Sequence, residues 1–332
     1  MLLSAGSNAH GQLANGSLDD SHFFAPCCFS GCASGTLPAG RTLLHLAFGA
    51  NHTLALLKFR ENDTTELWGC GDGRAGQLSP SYDLADDSDG TVFRPLDLPL
   101  ERHGLEGYLP RLVAASWETT YVVLSQQDMP DVLVSMGGDD FGDLGIGAKR
   151  AGKLPAKDSI HIIGFDHLEF NGVAVNKGSL MVESLAAGQH HVVVRLKTNA
   201  GCLTVGWGTS RHGQLGDVEK PFASAPALIS ADDSIVSSAL GHQHTVFRHA
   251  NGTVSGLGSN KKAPTRRYRR DYARAASRAL GTAHTSAQPV TETPGSCFPR
   301  ETMPAASWVE ILKVILRVLS FLSRQRRIGY CK

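Results

Sequence analysis

One turn pattern, written five times along a chain of 332 residues, constrains the fold more than any other feature. The copies read Ser-Ala-Gly-Ser-Asn-Ala-His-Gly-Gln-Leu at 4–13 and Gly-Cys-Gly-Asp-Gly-Arg-Ala-Gly-Gln-Leu at 69–78. They continue as Ser-Met-Gly-Gly-Asp-Asp-Phe-Gly-Asp-Leu at 135–144, Gly-Trp-Gly-Thr-Ser-Arg-His-Gly-Gln-Leu at 206–215, and a failing copy, Gly-Leu-Gly-Ser-Asn-Lys-Lys-Ala, at 256–263. The anchor glycines Gly11, Gly76, Gly142 and Gly213 are spaced by 65, 66 and 71 residues. Self-similarity at a fixed period is the signature of a repeat architecture, in which one unit cannot bury its own faces and stacking neighbours supplies the core.

A second motif, Ala-x-Gly-x-x-His-Thr, alternates with the first. It is present as Ala47 to Thr53, loosely as Ala114 to Thr120, as Ala186 to Val192 and as Ala239 to Thr245. Short apolar β-type runs flank it, such as Leu54 to Leu57, Tyr121 to Leu124 and Val192 to Val194. Short strands between glycine turns, recurring at a fixed period, predict an all-β propeller built blade by blade. Gly6, Gly71, Gly137, Gly208 and Gly258 fall at strand ends, where glycine supplies positive φ or lets another backbone approach closely. The later Gly-Gln-Leu turn plants Leu13, Leu78 and Leu215 as core plugs. A phosphate cradle is the rival reading of these glycines, but no basic residue follows at Walker-like spacing and the turn recurs five times. Gly makes up 36 of the 332 residues, which argues against an all-α chain, since each costs ~1 kcal/mol in a helix interior.

With these residues in view, the Gly-x-Asn-x-x-Gly-Gln-Leu turn and the Ala-x-Gly-x-x-His-Thr strand resemble the repeat of the regulator of chromosome condensation family. The resemblance covers roughly residues 2–262 and implies a seven-bladed β-propeller, of which about five blades are readable here. Residues 67–78 and Trp117-Glu118-Thr119-Thr120 are similar to the alpha-tubulin suppressor branch of that family. That resemblance implies a protein partner, a small zinc-ribbon protein, and a role in Elongator-dependent tRNA wobble-uridine modification and in diphthamide synthesis. The family at large implies the alternative, guanine nucleotide exchange on a Ran-type small GTPase, through an acidic wedge such as the loop at 83–89.

Trp117, Glu118, Thr119 and Thr120 stand where other copies carry Gly-x-x-His-Thr, and a Trp beside a carboxylate suits a basic or metal-bearing partner. The bland reading is that Trp117 fills the space of the missing glycine. His52, His191 and His244 occupy one repeat position, with His190 and His242 beside it, so the repeat disperses them around the ring and they are expected to bond their own turns. No converging acid/base set is visible, so the chain is expected to be no enzyme and to need no cofactor. Cys27, Cys28 and Cys32 near His22 fit no common zinc spacing, so no metal site is expected. No secretory signal is visible, and the cysteine usage predicts a reduced compartment, cytoplasmic with a nuclear fraction.

Composition breaks near residue 261. Residues 1–260 carry 17 basic and 27 acidic side chains, a balance of −10, and residues 261–332 carry 15 and 4, a balance of +11. Two parts follow: propeller repeats over 1–262 and a divergent basic tail over 263–332, partly helical near 306–323. Residues 261–274, with Tyr268 and Tyr272 among the basic residues, read as a localisation or nucleic-acid-binding run. The apolar run at 308–322 is too short and too charged for a membrane span. A spliced or frame-shifted end fits the break better than a divergent native tail. Well-formed four-stranded blades are expected up to about residue 260, with the strand at 2–5 left at an exposed edge.

Overall fold

A computed structural model describes residues 1–80, 82, 90–147, 160–216, 218 and 221–259. The acidic loop 83–89, the basic run 261–274, the tail and its helix lie outside the described residues. The chain divides into two compact units, Met1–Ala263 and Pro264–Lys332, and the described strands all lie in the first.

The described residues of that unit are all-β apart from short 3-10 turns. Blade I is the pair β1 (Leu3–Gly6) and β2 (Ser21–Pro26). Blade II runs β3 (Arg41–Phe48), β4 (His52–Phe59), β5 (Thr65–Gly71), β6 (Arg94–Pro95). Blade III follows with β7 (Leu109–Ala115), β8 (Thr119–Ser125), β9 (Val132–Gly137) and β10 (His161–Ile162). A small hairpin, β11 (Glu169–Phe170) with β12 (Val173–Ala174), precedes blade IV. Blade IV is β13 (Met181–Ala187), β14 (His191–Thr198), β15 (Gly201–Thr209), β16 (Phe222–Ser230), and blade V is β17 (Ile235–Leu240), β18 (His244–His249), β19 (Val254–Gly258). Each blade is an antiparallel meander, the simplest product of strands joined by tight turns. The expectation of four-stranded blades throughout is corrected. Blades II, III and IV have four strands, but blade V has three and blade I two among the described residues.

The first strands β3, β7, β13 and β17 pack successively against one another, so the sheets stand side by side around a common axis. The core is distributed between the blades. One apolar cluster joins blades I and II through Phe29, Leu57, Trp68 and Phe93, and a second joins II and III through Leu54, Leu78, Val122 and Met136. A third joins III and IV through Tyr121, Val123, Val194 and Trp207, roofed by Phe165 and Leu168 from the long connection before β13. The fourth, around Leu215 and Phe247, joins IV and V. The predicted plugs Leu13, Leu78 and Leu215 are buried, and so is Leu144 at the same repeat position.

The nine signature glycines Gly6, Gly11, Gly71, Gly76, Gly137, Gly142, Gly208, Gly213 and Gly258 all have positive φ, from +73° to +127°. Gly71 shows why the strand end also needs glycine sterically. An added Cβ there would lie 2.2 Å from the Asn51 carbonyl oxygen, which closes the neighbouring hairpin. The same oxygen accepts the Asp72 N–H at 2.8 Å. Gly208 stands in the same relation to the His190 carbonyl, with Cβ at 2.3 Å.

Candidate interaction face

The hairpins of the second motif and the turns of the first gather at one end of the blades, and the histidine column is what couples blade to blade there. Thr120 donates its hydroxyl to the Gln77 carbonyl at 2.7 Å, so its oxygen is left to accept from His52 Nε2–H at 3.0 Å. The histidine and glutamine belong to blade II and the threonine to blade III. Blades IV and V repeat the device: Thr245 donates to the Gln214 carbonyl at 2.8 Å and meets His191 Nε2 at 3.1 Å. Thr53 of blade II likewise donates to the Gln12 carbonyl of blade I at 2.7 Å. The glutamine side chains face back into their own turns, as where Gln77 Oε1 accepts the Ala75 N–H at 2.9 Å. The expectation that these histidines bond their own turns is therefore corrected for His52 and His191. Each reaches the threonine hydroxyl of the next blade.

The glycine of the same motif is explained by the ring. A Cβ on Gly49 would stand 2.1 Å from His52 Cε1, and one on Gly188 would stand 2.5 Å from His191 Cε1. Burial drops the His191 imidazole to about 4. Its folded pKa lies below the unfolded value of about 6.5, so the neutral ring stabilises the fold above pH 6.5 and that stabilisation is lost as pH falls towards 4. The loss amounts to about 3 kcal/mol, and a midpoint-versus-pH series should show it. His191→Gln keeps an N–H for Thr245 and removes the titration, so its stability should be the flatter of the two between pH 6.5 and 4. Equal slopes in the two proteins would contradict this assignment.

The junction between blades III and IV breaks every rule of the other junctions at once. Thr119 stands at the histidine position, Ser116 at the glycine, Val192 at the threonine and Asp143 at the glutamine. Without a ring to accommodate, a Cβ at Ser116 is tolerated. The carbonyl of Asp143 takes instead the Tyr121 hydroxyl at 2.7 Å and the Trp207 indole N–H at 2.8 Å, both from fully buried rings stacked edge to face. Burial, then the Asp143 charge, pushes the Tyr121 phenol well above its usual value.

Above this rebuilt joint lies an aromatic and charged cluster. Trp117 packs on His190 with ring centroids 5.7 Å apart, and Phe141 meets His190 edge-on at 4.8 Å. His190 Nδ1 lies 3.4 Å from Asp143 Oδ1. Arg211 places its guanidinium 5.3 Å over Phe141. Trp117 is held from both sides by its backbone: Ala50 N–H donates to its carbonyl at 3.0 Å, and its own N–H donates to the Gln189 carbonyl at 2.9 Å. Of the four residues singled out from sequence, Trp117 and Glu118 are half-buried at this surface, whereas Thr119 and Thr120 are buried. Thr119 donates to the Gly138 carbonyl, and Thr120 serves the blade II junction. Trp117 does not occupy the place of the missing glycine; Ser116 does. Phe141, Asp143 and Arg211 escaped sequence reasoning, and His190, expected to bond its own turn, instead meets blade III, although Asp143 for Gln and Val192 for Thr mark the junction in the repeat alignment.

Elsewhere the cysteine cluster diverges. Cys27 points its thiol at the Leu13 carbonyl, Cys28 at Ser34 Oγ and Cys32 at the Ser30 carbonyl. Among the described residues no group of three or more His, Cys, Asp or Glu side chains could hold a metal ion. No helix among them is long and apolar enough to cross a membrane.

No family model matches the chain. Among curated proteins it is similar to an RCC1 repeat-containing protein of Schizosaccharomyces pombe, 27% identical over 263 residues, 79% of this chain and 64% of that protein. The chain thus spans less than two thirds of that relative's length. Among solved structures it is similar to human WBSCR16, with a TM-score of 0.44, 17% identity and coverage of 78% of this chain and 75% of that one. It is also similar to Prp20p of Saccharomyces cerevisiae, described with its binding properties to Gsp1p and histones, at a TM-score of 0.47, 15% identity and coverage of 78% and 66%. The sheets and their repeat turns make an all-β propeller whose sequence is similar to that of the Schizosaccharomyces pombe RCC1 repeat-containing protein.

Proposed function

We propose that the chain is a non-catalytic protein-interaction platform, cytoplasmic with a nuclear fraction, whose working face is the hairpin end of blades III and IV. The observation that supports this reading most is the rebuilt junction. It keeps the blades tied by a different set of bonds and turns Trp117, Phe141 and Glu118 to the surface. In a repeat protein each unit is bound to pack like its neighbours, so a unit that abandons the shared solution and is repacked around an aromatic surface cluster marks a site shaped by something other than stacking.

The sequence likeness to the alpha-tubulin suppressor branch names the partner of this reading: a small zinc-ribbon protein, with a role in wobble-uridine modification and diphthamide synthesis. The rival is nucleotide exchange on a Ran-type GTPase, which the description of Prp20p with Gsp1p keeps in view for a propeller of this kind. Two assays separate them. Under the platform reading, the purified chain binds the zinc-ribbon protein and leaves the rate of nucleotide release from a Ran-type GTPase unchanged. Accelerated release, with no zinc-ribbon binding, would overturn the reading in favour of exchange.

A further inference from the structure

We infer that the cluster over the blade III–IV junction is a docking site for a basic side chain, an arginine or lysine presented by a protein partner to Trp117, Glu118 and Asp140. The inference rests on the platform reading and names the chemistry that the platform recognises.

Four observations carry it. First, the surface is aromatic in the way that takes cations. Phe141 already has a guanidinium over its ring, that of Arg211, and Trp, the best π-acceptor for cations, stands two rings away across His190. Second, a carboxylate neighbours each of these aromatics along the chain. The side chain of Glu118 lies against Gly138, and Asp140 is the exposed neighbour of Phe141 in the same turn. Neither forms an ion pair among the described residues. Third, residues 1–260 carry the balance of −10, so the field of the repeat region favours approach of a positive partner. Fourth, the cluster is pre-organised. The Trp117 backbone is bonded to hairpins on both sides, and its ring rests on a histidine that is itself held beside the buried Asp143. A site already in place costs little ordering when a partner arrives. An acidic segment would meet the Glu118 and Asp140 carboxylates with like charge, so the geometry favours the basic partner.

The test uses the full chain and three labelled heptapeptides read by fluorescence anisotropy: Gly-Arg-Gly-Arg-Gly-Arg-Gly amide, its citrulline counterpart and its glutamate counterpart. The arginine peptide should bind, with the neutral citrulline isostere weaker by about tenfold. Trp117→Ala should weaken the arginine peptide by about tenfold, and Trp117→Phe, which keeps a ring on His190, by an intermediate factor. Glu118→Gln with Asp140→Asn should weaken it several-fold and flatten its salt dependence. These last two variants keep the test decisive should Trp117→Ala fail to fold. No arginine-peptide binding, equal binding of the glutamate peptide, or an arginine-peptide affinity indifferent to the Trp117→Phe and double carboxamide variants would overturn the inference. A zinc-ribbon partner that still binds this face through a neutral or acidic segment would overturn the docking chemistry while leaving the platform reading standing.

Discussion

Gly71→Ala should cost about 3 kcal/mol or more, far beyond what the loss of a hydrogen atom for a methyl implies. Two penalties coincide at this position. The backbone sits at φ +98°, which an L side chain rarely adopts, and the new Cβ would be 2.2 Å from the Asn51 carbonyl oxygen. That oxygen is backbone and is already bonded to Asp72 N–H, so relief requires the whole hairpin to move. Gly213→Ala is the internal comparison. Gly213 also has positive φ, +73°, but nothing lies within 4 Å of an added Cβ. It should therefore cost only the conformational strain, about 1–2 kcal/mol. Urea midpoints of the two variants decide the matter. Equal midpoints would mean that close approach of the hairpin contributes nothing and that positive φ alone explains the repeated glycine.

Trp207→Ala is the second large effect, expected at about 3–5 kcal/mol. The ring is fully buried, packs edge to face on Tyr121 and donates to the Asp143 carbonyl. Trp207→Phe should cost much less. It keeps most of the apolar volume, and the Tyr121 hydroxyl still satisfies the same carbonyl. Thermal unfolding of both variants should rank them in that order. If Trp207→Phe proved as damaging as Trp207→Ala, the indole N–H rather than its bulk would be holding blades III and IV together.

The turns and their glycines were legible because steric needs recur in the sequence wherever the same backbone shape recurs. The plugs Leu13, Leu78 and Leu215 were legible for the same reason, since one apolar residue at a fixed offset must go inwards in every copy. The direction of the histidine bonds was not. Thr120 and Thr245 donate to backbone carbonyls of the preceding blade, and a carbonyl leaves no mark on residue identity. The aromatic cluster was half legible. Trp117 and Glu118 stand out because Ser116 and Thr119 on either side of them break the Gly-x-x-His motif. Phe141 and His190 reach them only because two separate turns of blades III and IV meet in space, which no local pattern encodes. The short edge pairings were also hidden, since β6 and β10 contribute two residues each and carry no alternation to read.

A photo-activated cross-linking residue at Glu118, compared with one at Asp128 in the turn at the opposite end of blade III, tests the central claim most directly. Glu118 is half-buried at the surface and Asp128 is exposed. With the zinc-ribbon protein present, the account predicts a cross-link from position 118, none from position 128, and loss of the first when Trp117→Ala is combined with it. Cross-linking from position 128 alone would contradict the placement of the working face at the hairpin end of blades III and IV.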